Sequence, residues 1–186
     1  MDETLELENK VTELFKQKKY KEVIELLPDD LLAKMNSVFL YGLRGRVYNK
    51  LDEFDKVIED CNAAIKIQKD YDDAYFDRGV AWASKGNYDK AIEDYTTVIN
   101  YVKDDGDVYY NRGNAWDNIG QYDNAIDDYT TAIRLLKDDS YPYNNRGVSF
   151  YNKGEYDKAI ADYEAAIKID TKNSNADLIE TNYLLN

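Results

Sequence analysis

Residues 72–105 read DDAYFDRGVAWASKGNYDKAIEDYTTVINYVKDD, and this stretch decides the fold. Its first half places Tyr75, Gly79 and Trp82 on one stripe at helical spacing. Its second half begins at Tyr88 and places Tyr88, Ala91, Ile92, Tyr95, Val98 and Ile99 on another. Gly86 and Asn87 lie between the two stripes, residue types suited to a tight turn between helices. The stretch therefore reads as a helical hairpin. Small residues are expected where the two helices cross closely, with Gly79 against Ala91. The aromatics are expected to fill the space toward the next hairpin as core.

Outward from this stretch the pattern returns at a fixed interval. Tyr20, Phe54, Tyr88, Tyr122 and Tyr156 are spaced by 34 residues each time, and Gly45, Gly79, Gly113 and Gly147 keep the same interval. So do Val57, Ala91, Ala125 and Ala159, then Cys61, Tyr95, Tyr129 and Tyr163, then Ala64, Val98, Ala132 and Ala166. Five columns held in register without an insertion mark a solenoid, in which each unit buries its apolar face against its neighbours. The expected units are 4–37 (degenerate), 38–71, 72–105, 106–139 and 140–173, within one domain spanning 1–186. In the unit from Val38, Leu51 is read as standing in place of a glycine. In the first unit Pro28 should stop the second helix after about Tyr20 to Leu27, because proline removes a backbone donor and clashes with the preceding turn. Asp29 or Asp30 can then cap a helix that runs from near Leu31 to about Lys50. At the other end, 174–186 (SNADLIETNYLLN) reads as a separate amphipathic helix with Leu178, Ile179 and Tyr183 facing inward, covering the last hairpin. The fold class is thus all-α, a solenoid of about five antiparallel hairpins with a capping helix, and the cap suggests a nearly complete solenoid.

Composition narrows the function. The chain has 186 residues, no histidine, one cysteine, 24 basic against 37 acidic residues and a net charge of −13. Acid–base chemistry based on histidine and zinc sites that need it are excluded. A single cysteine makes no internal disulfide. So acidic a chain is a poor nucleic-acid ligand, since phosphate contacts want Lys and Arg, and it is equally unsuited to anionic membrane surfaces. No run of 18 apolar residues and no basic leader before an apolar stretch is present, so a cytoplasmic location is the default expectation. The paired aspartates at 72–73, 104–105 and 138–139 read as turn and cap residues, Cys61 as packing, and no cofactor or metal is expected. The chain is not expected to be an enzyme.

These columns resemble the tetratricopeptide repeat (TPR) family. The unit from Asp72 carries the resemblance in Tyr75, Gly79, Trp82, Gly86, Tyr88, Ala91, Tyr95 and Val98; that from Gly106 in Tyr109, Gly113, Trp116, Gly120, Tyr122, Ala125, Tyr129 and Ala132; that from Ser140 in Tyr143, Gly147, Phe150, Gly154, Tyr156, Ala159, Tyr163 and Ala166. The unit from Val38 follows more loosely with Tyr41, Gly45, Tyr48, Phe54, Val57, Cys61 and Ala64. The family's proline near the unit end is replaced by Lys69, Lys103, Lys137 and Thr171. The resemblance implies a right-handed superhelix whose first helices line a concave groove, and a protein-interaction scaffold that takes a partner's peptide or helix there. Its wall residues are expected to include Phe39, Leu43, Arg46, Lys50, Phe76, Asp77, Tyr110, Asn111, Asn114, Tyr141, Asn144, Asn145 and Tyr151.

That wall is rich in Asn and Tyr, which suits capture of an extended chain. Arg46 and Lys50 are basic while Asp73, Asp77, Asp107 and Asp117 are acidic, so a bound segment should be basic or neutral at mid-groove. Arg44, Arg78, Arg112 and Arg146 form a ladder whose stems pack and whose guanidinium groups reach acids such as Asp94, Asp128 or Asp162. Two alternatives are a co-chaperone-like clamp for an acidic carboxyl-terminal peptide, which lacks its basic partners here, and a self-assembling oligomer. Lys10, Lys16, Lys18 and Lys19 make the first hairpin polar and favour a monomer.

Overall fold

The computed structural model describes residues 3–184, with side chains described from 3 to 172. The described residues form eleven α-helices and no strand. The chain divides into two compact units, Met1–Lys103 and Asp104–Asn186. The first contains α1 (Glu3–Lys16), α2 (Tyr20–Leu26), α3 (Asp29–Met35), α4 (Val38–Lys50), α5 (Phe54–Ile67), α6 (Asp72–Ser84) and α7 (Tyr88–Tyr101). The second contains α8 (Gly106–Asn118), α9 (Tyr122–Leu135), α10 (Tyr141–Asn152) and α11 (Tyr156–Leu184). Helices pair as hairpins, α4 with α5, α6 with α7, α8 with α9 and α10 with α11, and hairpins stack through α5 on α6 and α9 on α10.

The small-residue columns lie inside these pairs. Val57, Ala91, Ala125 and Ala159 are all buried, as are Ala64, Val98, Ala132 and Ala166. In the first unit, Val11, Val23, Leu27, Leu32, Leu40, Leu43 and Val47 form one apolar cluster, and Tyr48, Val57, Ile58, Cys61 and Ala64 belong to the next. Such burial stabilises each hairpin by roughly 25 cal/mol per Å² of apolar surface withdrawn from water.

The unit glycines contact something other than expected. A β-carbon on Gly79 would lie 2.7 Å from the Tyr95 ring, on Gly113 2.8 Å from Tyr129, and on Gly147 2.8 Å from Tyr163. The close partner of Gly79 is therefore the tyrosine one helical turn beyond Ala91. The aromatic edge needs the space that a side chain at the glycine would take. At Gly45 the corresponding residue is Cys61, and the nearest atom is 3.6 Å away.

The first helix of every hairpin ends in the same way. Gly86, Gly120 and Gly154 adopt φ of +75°, +75° and +78°, and the following amide closes a six-residue loop, as in Asn87 N–H to Trp82 O at 2.9 Å. This is the left-handed helix stop for which glycine is favoured. The residue in that position of the second hairpin is Asp52, not Leu51, with φ +58°; in the first hairpin it is Lys18, also at +58°.

Two helix boundaries differ from the sequence reading. α2 stops at Leu26 before Pro28, as expected, but no single helix runs on to Lys50. Asn36 turns left-handed at φ +51° and ends α3, and Ser37 Oγ accepts from Leu40 N–H at 3.3 Å and starts α4. Asparagine tolerates the left-handed conformation and serine caps a new helix, so the pair divides the segment. At the other end α11 passes through 170–173 without a break, so 174–184 extends the last hairpin's second helix rather than forming its own. Leu178, Ile179 and Tyr183, expected to face inward, lie outside the described side chains.

Candidate functional site

The arginine ladder is built as the charges suggest. Arg44, Arg78, Arg112 and Arg146 each grip the aspartate sixteen residues on, Asp60, Asp94, Asp128 and Asp162, through two parallel bonds of 2.6–2.9 Å. All four aspartates are buried. A planar guanidinium matches a carboxylate in this forked geometry, which lysine would not reproduce. Arg146 also reaches Thr130 Oγ1 at 2.9 Å, tying its hairpin to the preceding one. Burial lowers the proton affinity of the Arg44 guanidinium, but Asp60 and then Asp29 outweigh it and hold the cation firmly protonated. These arginines are consumed inside the scaffold, so the ladder is structural. Cys61 is likewise inert: burial, then Asp77 and Asp60, push its thiol well above the ordinary range.

The first helices carry the remaining candidates. On the α4–α6 face, Arg46 spans from α4 to Asp73 at 2.8 Å and Asp77 at 3.1 Å. Burial alone would weaken the Arg46 cation, but Asp77 and Asp73 reverse that and raise its pKa. The expected gradient from a basic Arg46 to acidic Asp73 and Asp77 is thus cancelled by internal pairing. Leu43 is only 6% exposed and belongs to the core cluster with Leu40 and Val47, so it cannot touch a ligand; the helical face turns inward there. Phe39 and Lys50 are exposed. Phe76 lies half-buried with its ring 5.9 Å from that of Tyr95.

The α8–α10 face in the second unit is organised differently. Asn145 Nδ2 on α10 donates to Asn114 Oδ1 at 2.8 Å and to Tyr110 Oη at 3.1 Å, both on α8. Tyr129 Oη rises from the core below and donates to the same Asn114 Oδ1 at 2.8 Å. The Tyr110 ring meets that of Tyr129 at a tilt of 49°, with centroids 6.0 Å apart. Ser149 Oγ on α10 donates to Asp117 Oδ1 at 2.6 Å. Around this network lies an open depression of about 350 Å³ lined by Asn114, Asp117, Asn118, Tyr129, Asn145 and Val148. Burial, followed by the charge of Asp117, pushes the Tyr129 phenol far above its usual range, so it stays a donor. The network leaves groups free: Tyr110 keeps its own hydroxyl proton, and Asn114 Nδ2 has no partner among the described residues.

Of the expected wall residues, the structure gathers Tyr110, Asn114 and Asn145. Asn111 bonds back into its own helix, Nδ2 to Asp107 O at 2.8 Å. Asn144 is exposed beside Asn145, and Tyr141 is exposed. Tyr151 is also exposed but turns to Tyr156 on α11, with centroids 5.3 Å apart. Asp117, Asn118 and Val148 join Asn114 and Asn145 in lining the depression. Tyr129 is the residue that periodicity hides, because its column reads as core. The signal was its hydroxyl: a buried tyrosine needs a partner that phenylalanine would not. No group of three or more acidic or cysteine side chains that could hold a metal occurs among the described residues, and no described helix is long and apolar enough to cross a membrane.

Sequence models described as "Tetratricopeptide repeat" match residues 40–71, 106–139 and 140–173, and one described as "TPR repeat" matches 81–116. A comparison with curated proteins gives no match. Among solved structures, the "Crystal structure of MamA protein" superimposes with a TM-score of 0.83 at 21% identity, covering 92% of this chain and 94% of that one. "MamA 41-end from Desulfovibrio magneticus RS-1" gives 0.85 at 15% identity over 92% and 97%. The "MamA RS-1 ArsTM double mutant" gives 0.87 at 15% over 94% and 98%. At such identities the likeness is one of fold. With repeat models matching well over half of its length, the chain belongs to the tetratricopeptide repeat family.

Proposed function

We propose that the chain is a non-catalytic protein-interaction scaffold that holds an extended peptide of a partner against the α8–α10 face. The observation that carries this reading is the cradle made by Tyr110, Asn114 and Asn145, with side-chain donors and acceptors at fixed separation on two adjacent helices. Asn can meet both the N–H and the C=O of an extended main chain, and Tyr adds flat, partly apolar contact. The cradle is already bonded to itself, so little ordering cost remains on binding. The preferred segment is basic or neutral, since Asp107 and Asp117 lie on α8 and the chain's net charge is −13. An acidic carboxyl-terminal ligand is disfavoured further, because Arg46 spends its charge on Asp73 and Asp77.

The test is a random peptide library displayed on phage and panned on the full chain. Recovered peptides are synthesised and titrated by fluorescence anisotropy. Changing Asn114 and Asn145 together to Ala should weaken them by about tenfold or more, since each lost polar contact counts for about 1 kcal/mol. Asn111→Ala should leave affinity unchanged, with circular dichroism confirming the fold of both variants. Equal binding by all three proteins would remove this face as the site.

A further inference from the structure

We infer that the depression between α8 and α10 is a receptor for one cationic side chain, lysine or arginine, of the bound peptide. This deepens the peptide-binding reading above and rests on it.

The argument begins with the repeat register. Arg46 and Asp77 are 31 residues apart and meet across the α4–α6 face at 3.1 Å. Asn114 and Asn145 are also 31 residues apart and meet across the α8–α10 face at 2.8 Å. The two pairs occupy equivalent places two repeats apart, Asn114 standing 68 residues after Arg46 and Asn145 68 after Asp77. In the first unit the position carries the chain's own guanidinium, held by Asp73 and Asp77. In the second unit the equivalent residue is the short, uncharged Asn114, and the space above it is the open depression.

The second observation is Asp117. The buried carboxylates Asp60, Asp94, Asp128 and Asp162 each hold an arginine, and Asp77 holds Arg46. Asp117 lines the depression half-buried, and no Lys or Arg pairs with it among the described residues. Its Oδ1 is fixed by the hydroxyl of fully buried Ser149 at 2.6 Å, and Oδ2 has no partner among the described residues. A positioned carboxylate withdrawn from water and lacking a counter-ion attracts a cation more strongly than one on the surface. The surroundings suit such a guest. Asn118 donates Nδ2 to Asn114 O, leaving its own amide oxygen to accept, and the Asn145 amide oxygen receives only a 3.4 Å contact from Asn144. Val148 offers an apolar surface for the aliphatic stem of a long basic side chain.

The experiment is an array of degenerate peptides, each fixed at its centre as one amino acid, probed with the full chain and with variants. Lys or Arg at the centre should bind about tenfold better than norleucine or Gln, as expected for a hydrogen bond to a charged group. Asp117→Asn keeps the Ser149 bond and should abolish that excess. Asp127→Asn, an exposed residue on α9, removes the same charge elsewhere and should retain the excess. In the wild type, the side-chain amide NMR signals of Asn114 and Asn145 should move with the lysine peptides and not with their norleucine counterparts. This second readout stands even if Asp117→Asn folds poorly. A Lys or Arg excess that survives Asp117→Asn reflects net charge and overturns the proposal. Peptides that bind and depend on Asn114 and Asn145 but show no cation preference overturn it while leaving the peptide-binding reading intact. No peptide bound above background overturns both.

Discussion

At the scale of single residues, four glycines in one column have unequal surroundings. A methyl group added at Gly79, Gly113 or Gly147 would meet a tyrosine ring edge within 2.8 Å, whereas at Gly45 the nearest atom is 3.6 Å away. Alanine in a helix interior gains about 0.5–1 kcal/mol over glycine, and overpacking a filled site costs about 1–3 kcal/mol. Gly45→Ala should therefore raise stability by about 0.5–1 kcal/mol, while Gly79→Ala should lower it by about 1–2 kcal/mol. Urea denaturation of the two variants checks this, and midpoints that move in the same direction would contradict the assigned packing. The glycine column was legible in the sequence, but its partner was not. Periodicity tells which residues share a face, not which rotamer crosses to the other helix, so Ala91 looked like the neighbour that Tyr95 is. The Arg–Asp ladder was legible because opposite charges at a constant offset of sixteen leave few geometric choices. Leu43 was misplaced for the converse reason: a helical position near the edge of the wall turns into the core where its helix packs against α1 and α2, whose Val11 and Val23 share its cluster.

At the scale of elements, the five inter-helix turns share one closing hydrogen-bond pattern but not one residue type. Glycine supplies the left-handed residue at 86, 120 and 154, while Lys18 and Asp52 hold φ +58° against steric preference. A side chain in that conformation costs about 1 kcal/mol relative to glycine. The Asp52 carboxylate makes no hydrogen bond or ion pair among the described residues, so Asp52→Gly removes the strain without removing a contact. It should stabilise the first unit by about 0.5–1 kcal/mol and raise the melting temperature by about 1–4 °C. Differential scanning calorimetry measures it, and a lowered melting temperature would mean that the turn needs its aspartate. The turns could be read from Gly86, Gly120 and Gly154; the degenerate ones could not, because nothing in Lys18 or Asp52 announces a positive φ. The break at Asn36 and Ser37 was present as a left-handed stop followed by a cap. It was overridden by the apolar run on either side, which looks continuous when only hydrophobic spacing is counted. The uninterrupted α11 is the opposite case. Polar residues at 170–173 resemble the unit boundaries at 68–70 and 102–104, yet the helix passes through them, leaving Ile160 and Ile167 exposed on its earlier turns.

At the scale of the whole molecule, the 18 tyrosines make the chain's response to alkali a readout of its packing. Burial is the leading cause that raises the phenols of Tyr48, Tyr71, Tyr95, Tyr129 and Tyr163, with Tyr95 and Tyr129 furthest from their ordinary value. An unfolded tyrosine ionises near pH 10. Below that pH both folded and unfolded chains keep these protons, and the stabilisation is fully present. Above it the unfolded chain releases protons that the folded chain still holds, so stability falls as pH rises toward the folded-state values. Self-repulsion from a net charge of −13 acts in the same direction and grows as further tyrosines ionise. Salt separates the two, because it screens charge repulsion but does not solvate a buried phenol. Tyrosinate absorbance and helical circular dichroism should be followed together as the pH is raised, at low and at high salt. Part of the tyrosinate signal should be withheld until helicity is lost, and high salt should delay that loss without abolishing the coincidence. Full ionisation with the helices intact would mean that Tyr95 and Tyr129 are open to water. The core and the hydroxyl that anchors the peptide cradle would then both be wrongly placed, since Tyr129 serves the two at once.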